Sequence, residues 1–191
     1  MRYGRIPLAR VMAFIDGGYL REQCSKKFND KINFEELKGH IIGQFNSNTN
    51  GNYKGDLIRI YYYDAIVDHE NPKFKEQTDY FNRIIDINGY EVRLGDLIPT
   101  GKDGKGSLKQ KGVDVLLAVD MLSKAYSEQY DFAVIIAGDS DFFEVVNAVK
   151  DSGKRVFGMY FRNHIAENLY DVLDARIEMD DLTSSLRNPT I

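Results

Sequence analysis

The most constraining feature of this chain is residues 131–146, D-F-A-V-I-I-A-G-D-S-D-F-F-E-V-V, where an apolar run hands over to a helical pattern. Residues 133–137 are continuously apolar and rich in β-branched side chains, as in a strand covered on both faces of a parallel sheet. The run ends at Gly138-Asp139-Ser140-Asp141, and an amphipathic pattern starts at Phe142. In open α/β sheets this carboxyl edge is where ligands bind. Two anions held there repel unless they are protonated, hydrogen-bonded or neutralised by a cation. The chemistry is expected at this corner.

The rest of the chain repeats the theme. Residues 10–16 (R-V-M-A-F-I-D) predict a first buried strand closing on Asp16, then Gly17-Gly18 and a helix over 19–28 broken at Asn29-Asp30. A second helix is expected over 33–45, with Phe34, Leu37, Ile41, Ile42 and Phe45 on one side, followed by a polar loop over 46–55. Residues 56–64 (D-L-I-R-I-Y-Y-Y-D) predict a second strand, also ending in a carboxylate. A helix from Asn71-Pro72 to about Asn88 would bury Phe74, Phe81, Ile84 and Ile85, with Gly89 as its cap. Strand 90–98 then enters a β-hairpin insertion around residues 92–111, whose turn is expected at Lys102-Asp103-Gly104-Lys105. A helix over 113–126 offers Val113, Leu116, Leu117, Val119, Met121 and Leu122 to the core. After the strand at 133–137 come a helix over 141–150, a strand over 155–160, a helix over 164–173 and an edge strand near 176–179. Strands alternating with helices mean a mostly parallel α/β sheet. One domain over 1–182 is expected, with a loose tail over 183–191.

Composition excludes some functions. The net charge of −4 (25 basic, 29 acidic) gives no global positive field to recruit nucleic acid, which disfavours passive coating of DNA. The single cysteine, Cys24, makes no internal disulfide, and no paired Cys/His spacing predicts zinc. No apolar stretch approaches the ~20 residues of a membrane span, so the expectation is a cytoplasmic protein without membrane partners.

Right-handed crossovers bring the ends of parallel strands to one rim. That places Asp16, Asp64, Asp139 and Asp141 together, and Asp114 joins them at the start of its helix, where the dipole favours an anion. Acids from separate segments suit Mg²⁺ or Mn²⁺, hard cations that take oxygen ligands. Two such ions ~3.5–4 Å apart can activate a water and stabilise a leaving oxygen in phosphodiester cleavage. No Ser-His-Asp or Cys-His set competes, because His40, His69 and His164 all fall away from predicted strand ends.

Each acid also has a structural reading. Asp141 and Glu144 form a capping-box pattern, Asp139 is an alternative cap, and Asp16 before two glycines can start a turn. Asp64 follows Tyr61, Tyr62 and Tyr63, which fits a strand end near the surface. Asp120 lies about 240° round the helix from Asp114, so it is a supporting residue only, as is Asp64.

Three segments carry a family resemblance. F-I-D-G-G-Y-L (14–20), K-G-V-D-V-L-L-A-V-D-M-L (111–122) and I-I-A-G-D-S-D-F (135–142) resemble the motifs of the NYN domain, nearest its LabA-like branch in the PIN-like nuclease superfamily. The resemblance covers roughly Val11 to Met179. It implies a PIN-like three-layer α/β/α sandwich whose acids bind Mg²⁺ or Mn²⁺ and cleave RNA. Carried across, Asp16, Asp114, Asp139 and Asp141 are the catalytic and metal-binding set. Gly18-Tyr19 stands where many relatives have Ser-Asn, so a polar group beside Asp16 is missing, and the Ser140 hydroxyl is a candidate replacement.

For the substrate, the loop 101–112 carries Lys102, Lys105, Lys109 and Lys111 against one acid and leads into Asp114. It reads either as a basic arm for a phosphate backbone or as a solvated hairpin tip. Ser140, Lys109, Lys111 and Arg162 are the substrate-binding candidates, whereas Lys154 and Arg155 fall at the opposite end, in solvent. Tyr61–63 can stack bases, but packing in the core competes. The resulting expectation is a metal-dependent ribonuclease in which an activated water attacks phosphorus without a covalent enzyme intermediate. A homodimer pooling basic patches is compatible with it. The alternative is a catalytically weak RNA-binding or regulatory adaptor. A phosphatase is disfavoured because Gly18 stands where a D-x-D motif needs its second acid. A dinucleotide site is disfavoured because no G-x-G-x-x-G follows the first strand.

Overall fold

A computed structural model describes residues 5–28, 32–99 and 108–180. The elements run β1 (Leu8–Asp16), α1 (Gly17–Phe28), α2 (Phe34–Asn48), β2 (Lys54–Val67), α3 (Phe74–Ile85), β3 (Tyr90–Pro99), β4 (Leu108–Lys111) and α4 (Val113–Tyr126). They continue with β5 (Phe132–Ile136), a 3-10 turn (Ser140–Phe142), α5 (Phe143–Asp151), β6 (Arg155–Tyr160), α6 (Glu167–Val172) and β7 (Ala175–Glu178). The seven strands form one sheet in the order β4-β3-β2-β1-β5-β6-β7. All neighbours are parallel except β4, which returns antiparallel along β3 as the hairpin requires. The hairpin turn at 102–105, the break at 29–30 and the tail from 183 lie outside the described residues.

Alternation along β1 divides the core. Val11, Ala13 and Ile15 face one side and pack with Leu20, Phe34, Leu37, Ile41, Phe45, Phe81 and Ile84 of α1–α3. Met12 and Phe14 face the other, with Val113, Leu117, Met121, Val146, Val149 and Leu169 of α4–α6. Two helical layers therefore sandwich the sheet, and each large side chain buried contributes about 1.5–3 kcal/mol. The predicted PIN-like architecture is present.

Several boundaries and core assignments move. β2 does not end at Asp64 but continues through Ala65, Ile66 and Val67, pairing with β3 as far as Leu97. Asp64 is thus inside a strand, with none of its surface exposed, and Tyr61, Tyr62 and Tyr63 are buried rather than surface residues. α2 persists to Asn48, shortening the polar loop. α3 and α6 are shorter than their patterns, and Ile85, Leu116 and Val119 are exposed. Lys154 is buried and paired with Glu128, not solvated. Among the described residues, no helix is long and apolar enough to cross a membrane.

Candidate functional site

The chain winds outward from β1 to β2 and β3, then reverses to build β5, β6 and β7 on the other side of β1. The switch point between β1 and β5 leaves a crevice beyond their carboxyl ends, the usual ligand position in such sheets. Ile15 is level with both Tyr62 and Ile136, so Asp16 and the Gly138-Asp139 turn leave the sheet side by side. An open cleft of about 1130 Å³ lies there, lined by Asp16, Arg21, Gln110, Asp114, Asp139 and His164 among others.

The local backbone explains how each acid arrives. Asp16 closes β1, and its Oδ1 accepts the Tyr19 amide at 3.0 Å, starting α1. Burial raises its carboxyl to about 6, and repulsion from Asp114 and Asp64 adds to the effect against that amide bond. Asp114 occupies the first turn of α4, delivered from β4 by Gly112 in the left-handed region at φ 82°. Its carboxyl is also raised, by partial burial first and then by Asp139 and Asp141. Asp139 is extended and caps the 3-10 turn, accepting the Asp141 amide at 3.0 Å. The capping box with Asp141 as cap is therefore not formed, and α5 starts without a side-chain cap. Asp141 remains exposed, within electrostatic reach of Asp114.

The other sequence candidates separate. Asp64 pairs with Arg21 through a bidentate contact of 2.7 and 2.6 Å, beside the cleft but sealed from it. Asp120 accepts from Tyr63 Oη at 3.0 Å and Lys124 Nζ at 2.6 Å, bracing α4 against β2. Ser140 donates to Asp139 at 3.3 Å and does not serve Asp16. Arg162 holds Glu178 with its Nε at 2.8 Å, beside β7. Lys109 and Lys111 are exposed on β4, flanking Gln110.

Sequence reasoning missed four cleft residues. Gln110 fills the space that glycine leaves at position 18: a Cβ there would lie 2.8 Å from Gln110 Nε2 and 3.3 Å from Asp16 Oδ1. Gln110 Nε2 itself donates to Asp64 Oδ1 at 3.5 Å. Tyr19 lines the cleft and accepts the Phe161 amide at 2.9 Å through its hydroxyl, tying α1 to the end of β6. His164 reaches the cleft from the loop after β6, although no predicted strand end carries it. Arg21 sits one helical turn past the Gly17-Gly18 corner, and its partner Asp64 lies 43 positions further on, so no local pattern marks it.

Among the described residues, no three His, Cys, Asp or Glu side chains stand close enough to make a ready metal shell. The donor chemistry still fits a hard cation, because Mg²⁺ takes one or two carboxylates and keeps several waters. A carboxyl pushed up to about 6 by burial and by neighbouring anions is one that a cation would return to its charged state.

Comparison with known proteins agrees with this fold. Low amplitude and bright protein LabA of Synechococcus elongatus is 23% identical over 131 residues, 68% of this chain and 66% of that protein's length. The chain thus spans just under two thirds of this relative. A crystal structure of a protein of unknown function from Vibrio parahaemolyticus superposes with a TM-score of 0.63 at 18% identity, covering 93% of this chain and 96% of that one. That likeness shows the fold. The model of the NYN domain matches residues 10–180, and the chain belongs to this PIN-like, nuclease-like family.

Proposed function

We propose that the protein is a divalent-cation-dependent ribonuclease working at the rim of the β1–β5 crevice. The observation that carries this reading is the convergence of Asp16, Asp114 and Asp139, from three separate segments, in one cleft where burial, and then neighbouring acids, raise the carboxyls of Asp16 and Asp114. Asp16, Asp114 and Asp139 would hold Mg²⁺ or Mn²⁺, with Asp141 completing the set. When bound, the cation supplies Lewis-acid activation of water and stabilises developing charge on phosphate oxygens. The chain's own part is positioning. Asp139 is fixed by the turn amide it caps, Asp16 by the Tyr19 amide, and Asp114 by the rigid first turn of α4. Gln110 packs over Gly18, in the space a side chain there would take.

The lack of a ready three-ligand shell among the described residues favours a second reading. In it the same cleft binds RNA with little turnover, as an adaptor. Calorimetry with Mn²⁺ or Mg²⁺, alongside cleavage of labelled single-stranded RNA, separates the two. The nuclease reading expects wild type to bind the cation and cut, and Asp139→Asn to weaken both by at least roughly 10–100-fold. Wild type that binds no cation at millimolar concentration and leaves RNA intact would overturn the nuclease reading, leave the acids as structural caps and turn the search to the adaptor.

A further inference from the structure

The buried Asp64 holds a half-exposed arginine in the wall of the cleft. Arg21 Nε donates to Asp64 Oδ2 at 2.7 Å and Nη2 donates to Oδ1 at 2.6 Å. The carboxylate is 0% exposed while the arginine side chain is 42% exposed. Asp64 is further saturated by the Tyr62 hydroxyl at 3.1 Å and the Ala65 amide at 2.8 Å, so it is a fixed base for the guanidinium. A guanidinium carries five N–H donors in a rigid fork. Asp64 takes the Nε–Nη2 edge, and among the described residues nothing accepts from Nη1. The outer edge of the fork therefore keeps its donors.

Stability alone does not account for this arrangement. Apolar residues of the same volume usually match or exceed a buried ion pair, because desolvation offsets the attraction. What the pair provides is an arginine locked in one orientation in the wall of the cleft that Asp16 also lines, with its second edge available to a planar or tetrahedral anion. Lys73 and Arg83 line the same cleft from α3 and its start, interleaved with Glu22 and Glu76. The chain as a whole is acidic, with a net charge of −4. Phosphate must then be captured by local groups and not by a global field.

We propose that Arg21, clamped by Asp64, is the phosphate anchor of the cleft, its outer edge holding a phosphodiester of a single-stranded RNA beside Asp16 and Asp114. The assignment rests on the RNA reading of this cleft and makes Asp64 a positioning residue, not a cation ligand. It can be tested apart from cleavage by fluorescence anisotropy of a labelled single-stranded RNA oligonucleotide in EDTA. Arg21→Lys keeps a cation for Asp64 but loses the fork. The double variant Arg21→Gln/Asp64→Asn removes both charges, leaving none buried and unpaired, and keeps the fold testable if Arg21→Gln alone does not fold.

The expected result is binding by wild type, weakened about tenfold in the folded double variant, with the salt slope of log affinity reduced by about one. Arg21→Lys should keep the slope and lose several-fold in affinity. If the folded double variant binds as tightly and with the same slope, or if wild type binds no RNA in EDTA, the anchor assignment is overturned. If RNA binding depends on Arg21 but no cation supports cleavage, the anchor stands and the nuclease reading falls.

Discussion

A Cβ built on Gly138 would lie 2.2 Å from the His164 carbonyl oxygen and 2.5 Å from the Tyr19 ring. Neither neighbour can yield easily, because the Tyr19 hydroxyl accepts the Phe161 amide and the Ala166 amide donates back to the Gly138 carbonyl at 2.8 Å. Gly138→Ala is therefore expected to cost roughly 1–3 kcal/mol, as overpacking does. A thermal melt should show a Tm several degrees lower, and an unchanged Tm would mean the corner is looser than its contacts imply. At this scale the sequence was legible where chemistry and punctuation coincide. Asp16, Asp114 and Asp139 stand where a strand ends or a helix begins, so pattern alone put them on the rim. Asp64 misled because a carboxylate after an apolar run looks like a strand end. The Arg21 pair, 43 positions away and absent from any local pattern, together with the Tyr62 hydroxyl and the Ala65 amide, lets the charge stay inside β2. Gln110 was illegible for the same reason: its role depends on a glycine 92 positions earlier in the chain that leaves room for it.

Elements carry the site through a few cross-ties. Tyr19, in the first turn of α1, reaches the backbone after β6 and so joins the two strands' exits across the switch point. Tyr19→Phe removes that acceptor while keeping the ring packed on Phe161, whose centroid is 5.9 Å away. The expected cost is about 1 kcal/mol, with faster hydrogen exchange at the Phe161 amide and little change at the β1–β2 ladder. Uniform acceleration across the sheet would instead show that the hydroxyl supports the whole fold. Element identity was well marked in the sequence, since buried parallel strands and amphipathic helices differ in period. Element ends were not. α2 outlasts its apolar pattern by using Asn48 and Thr49 to satisfy carbonyls at its end. α3 stops at Ile85, short of the glycine expected to cap it, because Asp86 and Ile87 already close the last turn.

For the whole molecule, the cost of gathering acids on one rim becomes a pH dependence. Asp16 has its ordinary value of 3.8 in the unfolded chain and about 6 in the fold, chiefly through burial. The folded state therefore binds this proton more tightly. The stabilisation it brings is fully present below about pH 3.8 and is lost as pH rises through 6. Its ceiling is about 3 kcal/mol, since each tenfold gain in proton affinity is worth about 1.4 kcal/mol. Asp16→Asn has no charge to bury, so in EDTA the variant should melt above wild type at pH 7.5 and close to it at pH 4. A divalent cation changes the sign of the cost. Binding needs the ionised carboxylate, releases its proton, and stabilises the fold by an amount that grows with cation concentration. Millimolar Mn²⁺ should thus raise the wild-type Tm at pH 7.5, raise it much less at pH 5, and leave Asp16→Asn nearly unmoved. A Tm difference between wild type and variant that stays flat from pH 4 to 7.5 in EDTA would remove the basis for both effects. It would mean that Asp16 is ionised in the fold at no cost, and that the rim holds its anions apart without help from a cation.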